Sequence, residues 1–237
     1  MTCIALLIAG GSGTRMGQDI PKQFLTVNEK PVIIYTLEAF EKHKQIDEIA
    51  VVCIKGWENI LWAYAKQFNI TKLKNIFPGG KNGQESIRNG IYGLKKVHDD
   101  ESIVLIHDAI RPMVSTEIIS DCIRVTEERG CAITVIPCAE AMMQTDNGIV
   151  STGSYPRDRL VRTQTPQGFK LGDIYNLHKR ALEVGITNSI ASCTLKIEMG
   201  EQVFFSTGSE KNIKLTTVED IDIFKALLTE KHAEWLK

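Results

Sequence analysis

Apolar residues fall along this chain in short unbroken runs, and between those runs they recur at helical spacing. Ile4 to Ala9 is one such run, closed by Gly10 and Gly11, as expected of a strand buried on both faces. Pro31 opens the segment PVIIYTLEAFEKH, where Ile33, Leu37 and Phe40 repeat at i, i+4 and i+7. Proline suits a first helical position, so a helix is predicted to start there. Further strands are predicted at 49–54, 73–77, 102–108, 131–137 and 202–206. Helices are predicted near 57–68, 84–97, 116–129 and 171–184. A last helix follows Thr216-Thr217-Val218-Glu219, which has the capping-box spacing.

This alternation predicts an α/β fold, a doubly wound and mostly parallel sheet with helices on both faces. Ligands of such sheets bind beyond the carboxyl ends of the strands. The glycine turn after the first strand and Asp108, at the end of SIVLIHD, both fall at that edge. The rhythm breaks over 138–164, where Thr145-Asp146-Asn147-Gly148 is a turn signal between short β-like runs. A β-arm projecting from the sheet is expected there, either a dimer contact or a plain surface hairpin. Met142 and Met143 fit packing of that arm better than a pocket lining. No repeat, low-complexity stretch or linker interrupts the sequence, so one domain, 1–237, is expected.

Charge and composition narrow the function. With 28 Lys+Arg against 29 Asp+Glu, the net charge of −1 argues against a protein that works mainly by neutralising nucleic-acid phosphates. No run reaches the roughly 18 apolar residues of a membrane span, and the start MTCIALLIAGGSG lacks the basic n-region of a signal peptide. Six scattered cysteines include no C-x-x-C pair. They read as buried reduced thiols and suit the cytoplasm.

The stretch Ala9-Gly-Gly-Ser-Gly-Thr-Arg-Met-Gly17, followed by Pro21-Lys22-Gln23-Phe24, carries the chemistry. Glycines directly after a buried strand let backbone N–H groups turn toward an anion. Arg15 and Lys22 add fixed positive charge beside that cradle, which fits a polyphosphate better than a neutral ligand. The stretch is no P-loop, because Thr14-Arg15 stand where Gly-Lys-Ser/Thr is needed. Met16 occupies the third small position of the dinucleotide fingerprint and Lys55 stands where an acid is wanted, so an oxidoreductase is disfavoured.

Strand, GGSGTRMG and PKQF together resemble the nucleotidyltransferase family that contains 2-C-methyl-D-erythritol 4-phosphate and ribitol-5-phosphate cytidylyltransferases. The resemblance extends along the chain through Gly79-Gly80 with Ser86, HDAIRP (107–112), Gln164-Thr165-Pro166-Gln167 and Asn212-Ile213-Lys214-Leu215-Thr216. It implies an enzyme that joins CTP to a polyol or sugar phosphate, with Arg15, Lys22 and Lys214 as catalytic cations and Mg²⁺ bridging the triphosphate. It places CTP against Ala9, Gly10, Gly11, Ser12, Gly13, Thr14, Gly80, Ser86 and Asp108. Asp108 would also approach the metal, or else serve as a cap or as the ion-pair partner of Arg111. Ser86 could cap backbone or meet the cytosine ring or ribose, and His107 reads as structural. The acceptor is expected near Arg111, Glu140 and Arg157, with Arg159 and Arg162 close enough for the assignment to slip, and a homodimer through the arm is implied.

The family pattern fails at Gly83, where an arginine is usual. It fails again at Glu140-Ala141, which stand where Asp-Thr is usual, and at Thr187-Asn188-Ser189, where an acid is missing. The last two concern the acceptor. They leave open another polyol phosphate or a relative that binds nucleotide without turnover. The run 208–217 and the polar PKQFLTVNEKPVI segment look more like the ribitol-phosphate side, which serves cell-surface polymers, than the isoprenoid side.

Overall fold

The computed structural model describes residues 1–11 and 20–230. Its strands are β1 (Cys3–Ala9), β2 (Thr26–Val27), β3 (Lys30–Pro31), β4 (Glu48–Cys53), β5 (Leu73–Pro78), β6 (Ile103–Asp108), β7 (Cys131–Pro137), β8 (Met142–Gln144), β9 (Gly153–Tyr155), β10 (Val161–Lys170) and β11 (Phe205–Thr207). The helices are α1 (Val32–Lys42), α2 (Glu58–Gln67), α3 (Gly83–Leu94), α4 (Thr116–Arg129), α5 (Leu171–Glu183), α6 (Ser192–Glu198) and α7 (Val218–Glu230). Seven strands form one sheet in the order β11-β7-β10-β6-β1-β4-β5. Only β10 runs against its neighbours; every other pairing in that sheet is parallel.

Alternation along β1 explains why helices cover both faces. Ala5, Leu7 and Ala9 join a core containing Ile33, Leu37 and Phe40 of α1, Leu61 of α2 and Ile119 of α4. Ile4 and Leu6 point the other way, into a core with Ile91 and Leu94 of α3 and Ile174 and Leu177 of α5. Each buried leucine, isoleucine or phenylalanine among them contributes about 1.5–3 kcal/mol by leaving water. α3 lies against the sheet at Gly90, where a Cβ would come within 2.8 Å of Leu6 and Val52. All six cysteines are buried and unpaired.

Several boundaries differ from those the sequence predicts. Pro31 precedes α1 and pairs with Thr26 in the small β2–β3 ribbon, so the helix begins at Val32. α3 ends at Leu94, three residues short of Val97. The last capping box sits one residue further on: the Asp220 N–H donates to Thr217 Oγ1 at 3.4 Å, and Asp220 Oδ2 accepts from the Thr217 N–H at 2.8 Å. β8 and β9 form the hairpin expected in the arm. However, Val161, Arg162 and Thr163 pair with β7, so the last residues assigned to the arm belong to the main sheet.

Candidate active site

From β1 the chain moves outward through β4 to β5, then returns to β6 on the other side of β1. At that reversal the carboxyl ends of β1 and β6 open a crevice, the usual ligand position in such sheets. A cleft of about 740 Å³ lies there. β1 contributes Ile8 and Ala9 to its wall, continued by Gly10 and Gly11. The turn before α3 and that helix's first turn supply Gly80, Lys81, Asn82, Gly83 and Ser86. Lys22, Gln23, Asp108, Ile110, Lys214 and Thr216 complete it.

Backbone proximity explains the small residues in this wall. A Cβ on Gly10 would lie 3.0 Å from Ser86 Oγ and 3.2 Å from the Gly79 Cα, so the two glycine turns meet only because Gly10 lacks a side chain. Ser86 is buried. Its hydroxyl accepts from the Gly80 N–H at 2.9 Å and donates to the Asn82 carbonyl at 2.9 Å. The residue that caps α3 is Asn82, whose Oδ1 accepts from the Glu85 N–H.

Lys22 begins a short 3₁₀ turn anchored by the two residues that follow it. Phe24 is buried and stacks on Trp57 with ring centroids 4.6 Å apart. Gln23, also buried, donates to the carbonyls of Ala9 (2.8 Å) and Gly11 (3.1 Å). This tie between the PKQF segment and the glycine turn has no sequence signature beyond an amide beside a cation. Lys81 is a third cation of the cleft, beside Lys22 and Lys214, and one that motif reading passed over.

Opposite them, three motifs fuse into one network. Asp108 Oδ2 accepts from Arg111 Nε at 3.0 Å and Oδ1 from Lys214 Nζ at 3.2 Å. The Asp108 N–H donates to Thr165 Oγ1 at 3.0 Å. His107 is fully buried, with Nε2 3.2 Å from the Arg111 carbonyl and Nδ1 3.0 Å from Thr165 Oγ1. A carbonyl only accepts, so Nε2 holds the proton and Nδ1 accepts from the Thr165 hydroxyl. Burial pushes this imidazole down to about 4, which keeps it neutral near pH 7.

Asn212 closes the network: its side-chain amide donates to the Thr165 carbonyl at 2.9 Å, and its backbone carbonyl accepts from Arg111 Nη1 at 2.8 Å. The Leu215 N–H donates to the Ile110 carbonyl at 2.9 Å, so the strip carrying Lys214 is seated on the turn after β6. Burial alone would push the Asp108 carboxyl up; Lys214 and Arg111 outweigh it, and the carboxyl sits below the ordinary range.

Of the residues singled out in the sequence, Ala9, Gly10, Gly11, Lys22, Gly80, Ser86, Asp108 and Lys214 line this one cleft. Arg111 stands behind Asp108 and is not in the wall. Glu140 and Arg157 are exposed, away from the wall, and Arg157 Nη1 donates to the Ala139 carbonyl at 3.2 Å. Arg162 pairs with Glu210. Ser12, Gly13, Thr14 and Arg15 lie outside the described residues, as does Met16. Among the described residues no cluster of three or more His, Cys, Asp or Glu side chains could hold a metal ion, and Asp108 is the one carboxylate among the described residues of the cleft wall. No described helix is long and apolar enough to cross a membrane.

A mostly parallel seven-stranded sheet with a cation-lined cleft at its switch point is an α/β fold whose site suits an anionic ligand. Residues 3–230 match the family model described as 2-C-methyl-D-erythritol 4-phosphate cytidylyltransferase (IspD), and the chain belongs to that family. It is 41% identical over 229 residues to a ribitol-5-phosphate cytidylyltransferase of Lacticaseibacillus paracasei, covering 96% of this chain and 98% of that protein. A Vibrio parahaemolyticus protein of the same name is 43% identical over 226 residues, covering 95% of each chain. A 2-C-methyl-D-erythritol 4-phosphate cytidylyltransferase of Clostridium botulinum is 36% identical, covering 94% of this chain and 96% of that one. Among solved structures, the 4-diphosphocytidyl-2C-methyl-D-erythritol synthase of Anaerococcus prevotii superposes with a TM-score of 0.81 at 26% identity, covering 96% of each chain.

Proposed function

We propose that this nucleotidyltransferase joins CTP to ribitol 5-phosphate or a closely similar polyol phosphate, giving a CDP-polyol and pyrophosphate. The observation that carries the reading is the convergence of Lys22 and Lys214 with the Gly10–Gly11 turn around one cleft. In this reaction an acceptor phosphate oxygen attacks the α-phosphorus of CTP, and the bond to the bridging oxygen of the pyrophosphate breaks on the opposite side. The attacking group is already an anion, so no serine, cysteine or histidine base is needed. Cations are needed, to let two phosphorylated molecules meet and to hold the charge that gathers on the equatorial and leaving oxygens. Lys22 and Arg15 take the triphosphate side, and Lys214 the α-phosphate. Asp108 holds Lys214 in place until phosphate oxygens compete for it.

A lone carboxylate also suits Mg²⁺ that arrives on the triphosphate, since that ion commonly takes one or two carboxylates and completes its shell with phosphate and water. Asp108 would hold it, and the ion would neutralise phosphate charge. The ribitol reading rests on the shared name of the L. paracasei and V. parahaemolyticus relatives. Methylerythritol phosphate is the second reading, favoured by the C. botulinum relative and the family description. The arm exposes Met143, Ile149, Val150 and Tyr155. Such an apolar surface suits a homodimer in which Arg157 and Glu140 meet the acceptor of the partner, and a monomeric mass in solution would remove that part. Six buried unpaired thiols suit a reducing compartment such as the cytoplasm.

Pyrophosphate release from CTP with a panel of C4 and C5 polyol phosphates tests the reading. Ribitol 5-phosphate should turn over fastest; no product with any acceptor, despite CTP binding, would leave a nucleotide-binding relative without activity. Lys22→Met should lower turnover roughly 10²- to 10³-fold, as loss of a comparable electrostatic donor does. Near-native turnover would remove the mechanism.

A further inference from the structure

We propose that Gln84 is a positioning residue for the nucleotide side of the cleft, acting through the segment 186–189; this rests on the cytidylyltransferase reading above. Gln84 is the second residue of α3, where side chains commonly face solvent, yet it is 3% exposed. Its amide is spent entirely on the backbone of one remote loop. Nε2 donates to the Ile186 carbonyl at 2.9 Å, and Oε1 accepts from the Ser189 N–H at 2.7 Å, more than a hundred residues away in sequence.

Two further contacts make this a clasp. Asn82 caps α3 with Oδ1 and reaches the Thr187 carbonyl with Nδ2 at 3.1 Å. Ser189 is fixed in turn by its hydroxyl on Glu198 of α6. The loop is thus tied to a helix behind it and to the first turn of α3 in front.

That first turn is part of the cleft. Ser86, two residues after Gln84, holds the Gly80 N–H and lies where a Cβ on Gly10 would come within 3.0 Å of its hydroxyl. A small shift of α3's start therefore closes on Gly10 or opens a gap beside it. Gln84 itself does not line the cleft. Its effect on the reaction runs through the cleft residues around it, Gly80, Asn82, Gly83 and Ser86, and it should be felt in nucleotide binding more than in the chemical step.

Gln84→Met keeps the length of the side chain and removes both hydrogen bonds. Steady-state pyrophosphate release should show KM for CTP raised about tenfold, the scale on which one well-made hydrogen bond is felt. kcat and the KM for ribitol 5-phosphate should stay within about twofold of the parent chain. A merely structural role would instead lower the amount of active enzyme and leave KM for CTP unchanged, and that result overturns the proposal. So does an equal change in all three constants. Gln84→Glu keeps an acceptor for the Ser189 N–H but sets a carboxylate against the Ile186 carbonyl, and should raise KM for CTP even if the methionine variant fails to fold. Should the parent chain bind CTP and release no pyrophosphate, the reaction reading fails. Calorimetric CTP affinity of the same variants then decides the role of Gln84, weaker binding supporting it and equal binding ending it.

Discussion

Acid should unfold this protein from pH values at which most small domains are at their best, and two buried imidazoles set the size of the effect. His107 and His178 are both pushed by burial from 6.5 to about 4, His178 with a smaller contribution from Arg88. In the unfolded chain each ring takes up a proton near pH 6.5, while in the folded protein it stays neutral until about pH 4. Stability is therefore whole above pH 6.5 and falls as pH drops from there toward 4. A difference of 2.5 in pKa corresponds to about 3 kcal/mol for each ring, a large share of the 5–15 kcal/mol that holds a typical domain together.

The two rings differ in what they do when neutral, and that separates them by experiment. His107 uses both nitrogens, whereas neither nitrogen of His178 has a hydrogen-bond partner within its pocket of Gln84, Ile87, Ala191 and Leu195. Replacing His178 by leucine removes a buried polar ring that gains nothing from its surroundings. Urea unfolding at a series of pH values should show stability at pH 7 retained or raised by about 1 kcal/mol. Near pH 5 the slope of stability against pH should fall by up to about 1.4 kcal/mol per pH unit, one group's worth. An unchanged slope in His178→Leu would refute the reasoning.

Two substitutions probe the cleft's framework. Thr165→Val keeps the side-chain shape but strands the Asp108 N–H and His107 Nδ1; at about 1–3 kcal/mol for each unpaired group, thermal unfolding should fall by several degrees, and a shift under 2 °C would contradict the network. Gly10→Ala puts a Cβ 3.0 Å from Ser86 Oγ and 3.2 Å from the Gly79 Cα, so CTP affinity by calorimetry should drop about tenfold or more while the melting temperature moves little; equal affinity would show that the two glycine turns separate without consequence.

How much of this was legible in the sequence depended on whether the signal was periodic. α4 and β7 occupy the predicted spans, because an apolar repeat flanked by Ser115 and Gly130 marks one and an unbroken apolar run marks the other. β10 was hidden because Pro166 argues against a central strand. The strand tolerates it at a register shift between Thr163 and Gln167. α6 has only seven residues, too few for its repeat to show. The capping box slipped by one because Thr216–Glu219 and Thr217–Asp220 have the same spacing, and only coordinates choose between them. In the cleft, glycines and cations were legible as residue types. Gln23, Gln84 and the Thr165–His107 pair were not, because a polar side chain that bonds a distant backbone leaves no local pattern.

β10 runs opposite to the rest of its sheet, and its first residue, Val161, lies beside Pro137 at the last residue of β7. Whatever the chain inserts between those two residues emerges from the same edge of the sheet as the cleft, while every strand beneath keeps its register. Relatives can therefore exchange the 138–160 excursion as a unit without rebuilding the glycine turns and lysines that line the cleft.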